Sequence, residues 1–154
     1  MLSLKWFSVL LFALSLLGNG YCLNNQCTNH GLSILLIGWL GLLSVKQSGV
    51  LFVLAWYANP FLIFSWISTS LGWRHLALLA GGTALLFGVA FLSVERQLMD
   101  EAGGVGKITG YGIGYWLWIA SMCAGLAAAV LCRQTRAAMT ADGEPPRESR
   151  RRRN

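Results

Sequence analysis

Residues 50–69 read VLFVLAWYANPFLIFSWIST, a run without a single charge, interrupted only by Asn59 and Pro60 side by side. At about 1.5 Å of rise per residue, roughly 20 apolar residues cover the ~30 Å hydrocarbon core of a bilayer. The run therefore predicts a transmembrane helix. Pro60 offers no N–H to the Trp56 carbonyl, its ring crowds that carbonyl, and the residue before a proline is pushed away from helical geometry. The pair predicts a kink or a short break near mid-span. Facing lipid, the Asn59 amide would go unsatisfied. It shares a helical stripe with Phe52, Trp56, Ile63 and Trp66, so it is expected to meet a neighbouring helix, bonding across the interface or to the freed Trp56 carbonyl. The sharper alternative is a discontinuous helix that forms a mid-membrane solute site, although no second proline interrupts another apolar run.

Working outward, the 154-residue chain is 55% hydrophobic and only 12% charged, half the charge of an ordinary soluble domain at about 25%. Between Trp6 and Trp73 the only charged residue is Lys46, and there is none between His75 and Val94 or between Ile108 and Cys132. Alongside Val50–Thr69, the stretches Leu76–Val94 and Tyr111–Cys132 are long enough to span. Trp6–Gly18 is shorter. Leu32–Val45 would make only about 21 Å of helix. The fold class is thus all-α, a polytopic transmembrane helical bundle of four to five apolar segments, with one short segment that is re-entrant or interfacial. Residues 1–20 read either as a signal peptide, with Lys5, an apolar run and a small-x-small site ending at Gly20, or as a retained first transmembrane helix. Residues 21–132 would form the bundle and residues 133–154 a basic, disordered tail.

Charge bias separates two topologies. Five spans with a cytoplasmic N-terminus would export a tail holding seven of the twelve basic residues, against the positive-inside rule. Four crossings put Arg74, His75 and the tail inside, and the loop ERQLMDEAGGVGK outside. They require residues 31–69 to cross once, with Lys46-Gln47-Ser48-Gly49 as the turn of the short segment. The four-crossing arrangement is favoured.

Small residues recur at intervals of four: Ala80, Ala84 and Gly88 in one segment, Ser121, Gly125 and Ala129 in the last, and Gly106, Gly110 and Gly114 before it. Helical stripes of this kind allow close backbone approach. They are expected to pack the bundle, and to offer faces to a protein partner or a second copy of the chain. Tyr111, Tyr115, Trp116 and Trp118 read as an interfacial belt. Thr109-Gly110-Tyr111-Gly112 resembles part of a potassium-channel filter, but the valine is missing and the preceding stretch is charged.

Cys22 and Cys27 flank LNNQ on the expected outer side and are disulfide candidates. Quinone-coupled disulfide-forming enzymes are similar only in outline, since they use CxxC and a second external pair. His30 and His75 could in principle be two axial haem ligands, but four crossings put them on opposite sides, which argues against it. No GxSxG, HExxH or P-loop pattern occurs, so no catalytic, cofactor or metal residue is assigned and no enzyme is expected. The tail lacks interleaved aromatics and is not read as binding nucleic acid.

The blocks LAWYANPFLIFSW (54–66) and ITGYGIGYWLWIAS (108–121) resemble those of small, uncharacterised multi-pass proteins of bacteria. The resemblance implies an inner-membrane setting and brings no activity, cofactor or site residue. The function expected is that of a non-enzymatic integral membrane component: a subunit, assembly factor, or immunity- or exclusion-type protein working through helix contacts in the lipid bilayer. A small transporter or channel subunit with a site at Asn59-Pro60 is the alternative.

Overall fold

The computed structural model describes residues 2–40, 50–98 and 104–142. Four helices form a bundle: α1 (Leu2–Leu17), α3 (Val50–Leu71), α4 (Arg74–Ala90, extended by a 3-10 turn at Phe91–Ser93) and α5 (Ile113–Asp142). A short α2 (Gly31–Ile37) lies beside it. Three helices are long and apolar enough to cross a membrane: Val50–Leu71, Arg74–Ser93 and Ile113–Leu131.

The packing is compatible with a bundle that sits in a membrane. Among the described residues, the largest side chains buried completely are Leu62 and Met122, followed by Ser8, Ser65, Ser68 and Ser121. Leu79 and Leu86 point outward, 69% and 65% exposed. Small residues inside and large apolar ones outside is the arrangement expected where lipid removes the hydrophobic drive and close backbone approach takes its place. Serine hydroxyls add interhelical bonds. Ser8 donates to the Ser121 carbonyl at 2.6 Å and accepts from Trp66 Nε1 at 2.9 Å, while Ser65 donates to the Ala77 carbonyl at 2.8 Å. These link α1, α3, α4 and α5. Between α3 and α4 the chain reverses at Gly72, whose φ of 76° suits glycine. Gly72 N–H donates to the Thr69 carbonyl and Trp73 N–H to the Ser68 carbonyl, a Schellman closure that satisfies the helix end.

One end of the bundle carries a four-stranded antiparallel sheet, order β2-β1-β4-β3, built from β1 (Asn19–Leu23), β2 (Gln26–His30), β3 (Arg96–Leu98) and β4 (Val105–Tyr111). The expectation of a purely helical bundle is corrected here. β1 joins two hairpins distant in sequence, pairing Tyr21 with Tyr111 and Leu23 with Ile108. Gly106 and Gly110, expected on a helical face, lie in β4. Their spacing of four is also a multiple of the strand period of two, so they share a strand face with buried Ile108, while Lys107 and Thr109 are exposed. Gly114 alone of that trio is helical.

Three further expectations change. α3 runs unbroken through Pro60, so the helix is not discontinuous. Ile63 is 43% exposed, and the buried face of α3 instead follows Ala55, Ala58, Asn59, Leu62 and Ser65. α5 continues as helix to Asp142, through residues 133–142 that were expected to be disordered. That segment holds two Arg, one Gln, one Met and three Ala, all of which favour helix. The expected turn Lys46–Gly49, residues 99–103 of the loop ERQLMDEAGGVGK, and the tail from 143 lie outside the described residues.

Candidate functional site

The sheet end and the bundle meet around Phe91. Its ring packs against Tyr21, Phe52, Tyr111 and Tyr115, at centroid separations of 5.5 to 6.1 Å. Beside this cluster is a half-open cavity of about 70 Å³ enclosed by α1, β1, α2, α3 and α5. Leu35, Phe52, Trp56, Asn59, Tyr115 and Trp118 are among its lining. α2 covers it. Gly31 N–H donates to the Gly18 carbonyl at 2.9 Å, and Trp56 Nε1 donates to the Leu35 carbonyl at 2.9 Å.

Asn59 sits at the inner end, 8% exposed. Its Nδ2 donates to the Trp56 carbonyl at 3.0 Å, supplying the donor that Pro60 lacks. Its Oδ1 accepts from Trp118 Nε1 on α5 at 2.8 Å. Both readings of a structural Asn59 therefore coexist, with each polar atom of the amide holding one protein partner. Tyr115 donates to the Gly88 carbonyl of α4 at 3.0 Å. The aromatic belt is corrected accordingly. Tyr115 is 3% exposed and Trp118 is tied into the bundle, and of the four aromatics Trp116 is the one that faces outward.

The small-residue faces are used by the chain itself. Ala80, Ala84 and Gly88 are buried on α4. A Cβ on Gly88 would lie 2.9 Å from Ile119 and 3.1 Å from Met122, both on α5. Gly114 meets the backbone of Ser15, Gly18 and Asn19, so α1 and α5 touch backbone to backbone.

At the rim of the sheet, Cys22 and Cys27 are joined by a disulfide across the β1–β2 hairpin. The turn between them, Asn24-Asn25, has φ of 48° and 67° at its two residues. Both positive is the two-residue hairpin geometry that suits Asn. The turn docks on β4, with Asn24 N–H donating to the Lys107 carbonyl and Asn25 N–H to Thr109 Oγ1. Asn-Asn between two short runs was the available sequence signal for this hairpin. His30 is exposed on β2 and His75 begins α4. No group of His, Cys, Asp or Glu able to hold a metal ion occurs among the described residues.

Burial raises the Tyr21 phenol from 10.0 to about 12, with a Gln97 hydrogen bond offsetting part of the rise. Tyr111 is also raised by burial. A raised folded-state value means that the fold favours the protonated phenol. That stabilisation is complete below pH 10 and is lost as pH climbs from 10 towards 12. The expected result in detergent is that Tyr21→Phe moves the alkaline unfolding midpoint, followed by circular dichroism, to higher pH. An unchanged or lower midpoint would refute the burial of an ionisable phenol here.

No family model, curated protein or solved structure matches the chain. Fold and site together define the class: among the described residues, a four-helix bundle with a short fifth helix beside it, three of its helices able to cross a membrane, capped at one end by a disulfide-bearing sheet.

Proposed function

We propose that the chain is a multi-pass protein of the bacterial inner membrane, crossing four times by α1, α3, α4 and α5, with the sheet outside. It acts without catalysis, as a subunit, assembly factor or immunity-type component. The observation that carries this is the polarity of the bundle. Lys5 bonds Ser70 at the end opposite the sheet, where Arg74 and His75 begin α4 and Arg133 and Arg136 extend α5. The disulfide lies at the sheet end. Basic residues gather on the cytoplasmic side and disulfides persist in the oxidising periplasm, so two independent signals support one orientation. α2 and α3 both start from the sheet end, which supports a single net crossing of residues 31–69.

Retention of α1 is part of the reading. Cleavage after Gly20 would cut β1 and remove the helix whose Ser8 is fully buried against α5. Because Ala80, Ala84, Gly88 and Gly114 are spent inside the bundle, the surface left for a protein partner or a second copy is the outward sheet, with β2 as an exposed edge. The transport alternative rested on Asn59, and both polar atoms of its amide are engaged.

Reporter fusions test the orientation. A reporter after Asn154 is expected to be active only in its cytoplasmic form, and one inserted between Asn24 and Asn25 only in its exported form. A tail reporter active outside, or both reporters on one side, would overturn the four-crossing reading.

A further inference from the structure

We infer that the cavity beneath α2 holds the end of one acyl chain of a membrane phospholipid from the sheet-side leaflet, an inference that rests on the membrane reading above. Its side-chain polar groups are already engaged by the protein. The Asn59 amide, the Trp56 and Trp118 indoles and the Tyr115 hydroxyl each have a protein partner. A polar solute would have to strip its own water and would find only the spare capacity of groups that already hold a protein partner. Phe52, Ala55 and Ile34 add hydrocarbon to the wall. Water does not fill an apolar space that offers it no partners, and an empty space forfeits the dispersion contacts of every atom around it. In a bilayer the material at hand to restore those contacts is the lipid tail.

The dimensions agree. Sites for drug-sized solutes run about 300–1,000 Å³, whereas about 70 Å³ accommodates the end of one chain. On α3 the lining extends from Phe52 to Asn59, about 10 Å of helix, so the space reaches from the sheet end into the depth of the hydrocarbon. α2 is the element that can admit the tail. It buries none of its residues completely, and Leu36 and Ile37 on it are 63% and 58% exposed. Near its two ends it is held by the Gly31–Gly18 and Trp56–Leu35 bonds.

The test uses the full chain in bilayer discs made with a phospholipid bearing a photoactivatable diazirine at the end of one acyl chain, with adducts mapped by mass spectrometry. Adducts are expected on Tyr115, Phe52 or Trp118 as well as on outward Leu79 and Leu86. Ala55→Phe and Ile34→Trp, which fill the cavity from α3 and from α2, are each expected to abolish the inner adducts and leave the outward ones in place. Ile34→Trp carries the test should Ala55→Phe fail to fold. Adducts on outward residues alone, inner adducts that survive Ile34→Trp, or chain-to-chain crosslinks at Tyr115 in place of lipid would each overturn the inference. So would inner labelling by a free diazirine fatty acid but not by the phospholipid. Loss of the outward adducts too would instead count against the membrane reading.

Discussion

Gly114→Ala is expected to lower stability by about 3 kcal/mol, at the upper end of overpacking costs. A methyl at this position would stand 2.8 Å from the carbonyl oxygens of Ser15, Gly18 and Asn19 at once. All three belong to the backbone, so no side-chain rotation relieves the contact, and relief requires α1 and α5 to separate. Alanine's better helix propensity returns about 1 kcal/mol at most. The clash wins. Gly82→Ala is the matched control, because it too lies in a helix but a Cβ there meets nothing within 4 Å. It should be neutral or stabilising by up to about 1 kcal/mol. Gly110→Ala, in β4 with equally open space, should be neutral. Denaturation midpoints in mixed detergent micelles, followed by circular dichroism, measure all three. Equal midpoints for Gly114→Ala and Gly82→Ala would mean that α1 is not pressed onto α5, and the case for a retained α1 would fall with that contact.

The contrast between these glycines also explains what the sequence could and could not disclose. Long charge-free runs mark the helices able to cross a membrane, because a bilayer would set their length and composition independently of neighbours. Val50–Leu71 starts where the apolar run starts, and Arg74–Ser93 and Ile113–Leu131 differ from the runs by one or two residues. Asn59 was legible for the same reason, since a lone amide in hydrocarbon must find partners. The sheet was not legible. β1 and β4 are five and seven residues long, glycine-interrupted, and paired across more than eighty positions, and no local period reports such a pairing. Gly106, Gly110 and Gly114 look alike in spacing, yet a strand and a helix each place every fourth residue on one face. The cavity was hidden for a related reason. It arises where α2, too short to cross, leans over a bundle whose sheet end is set by non-local strands.

Asn59→Leu should cost about 2–4 kcal/mol, and the pattern of partner mutations identifies why. The leucine leaves two buried groups unpaired, the Trp56 carbonyl and the Trp118 indole N–H, at about 1–3 kcal/mol each in a dry site. Single interhelical bonds in membrane proteins average less, about 0.6 kcal/mol, so a loss above 2 kcal/mol would point to the doubled role. Trp118→Phe removes one bond and should cost about 1 kcal/mol. Combined with Asn59→Leu it should add little, because the same bond is already gone. Pro60→Ala provides the sharper control. It returns an N–H to the Trp56 carbonyl, so in that background the Asn59 amide is no longer the only donor and Asn59→Leu should lose about half its effect. Micelle denaturation midpoints for the wild type, the three single variants and the two double variants complete both cycles. Full additivity with Pro60→Ala would show that Asn59 does not substitute for the missing backbone donor. An Asn59→Leu protein of wild-type stability that loses a solute-dependent growth phenotype would return the residue to the transport reading. Lowered stability and abundance without such a phenotype keeps it as the internal tie that lets a proline sit in the middle of α3.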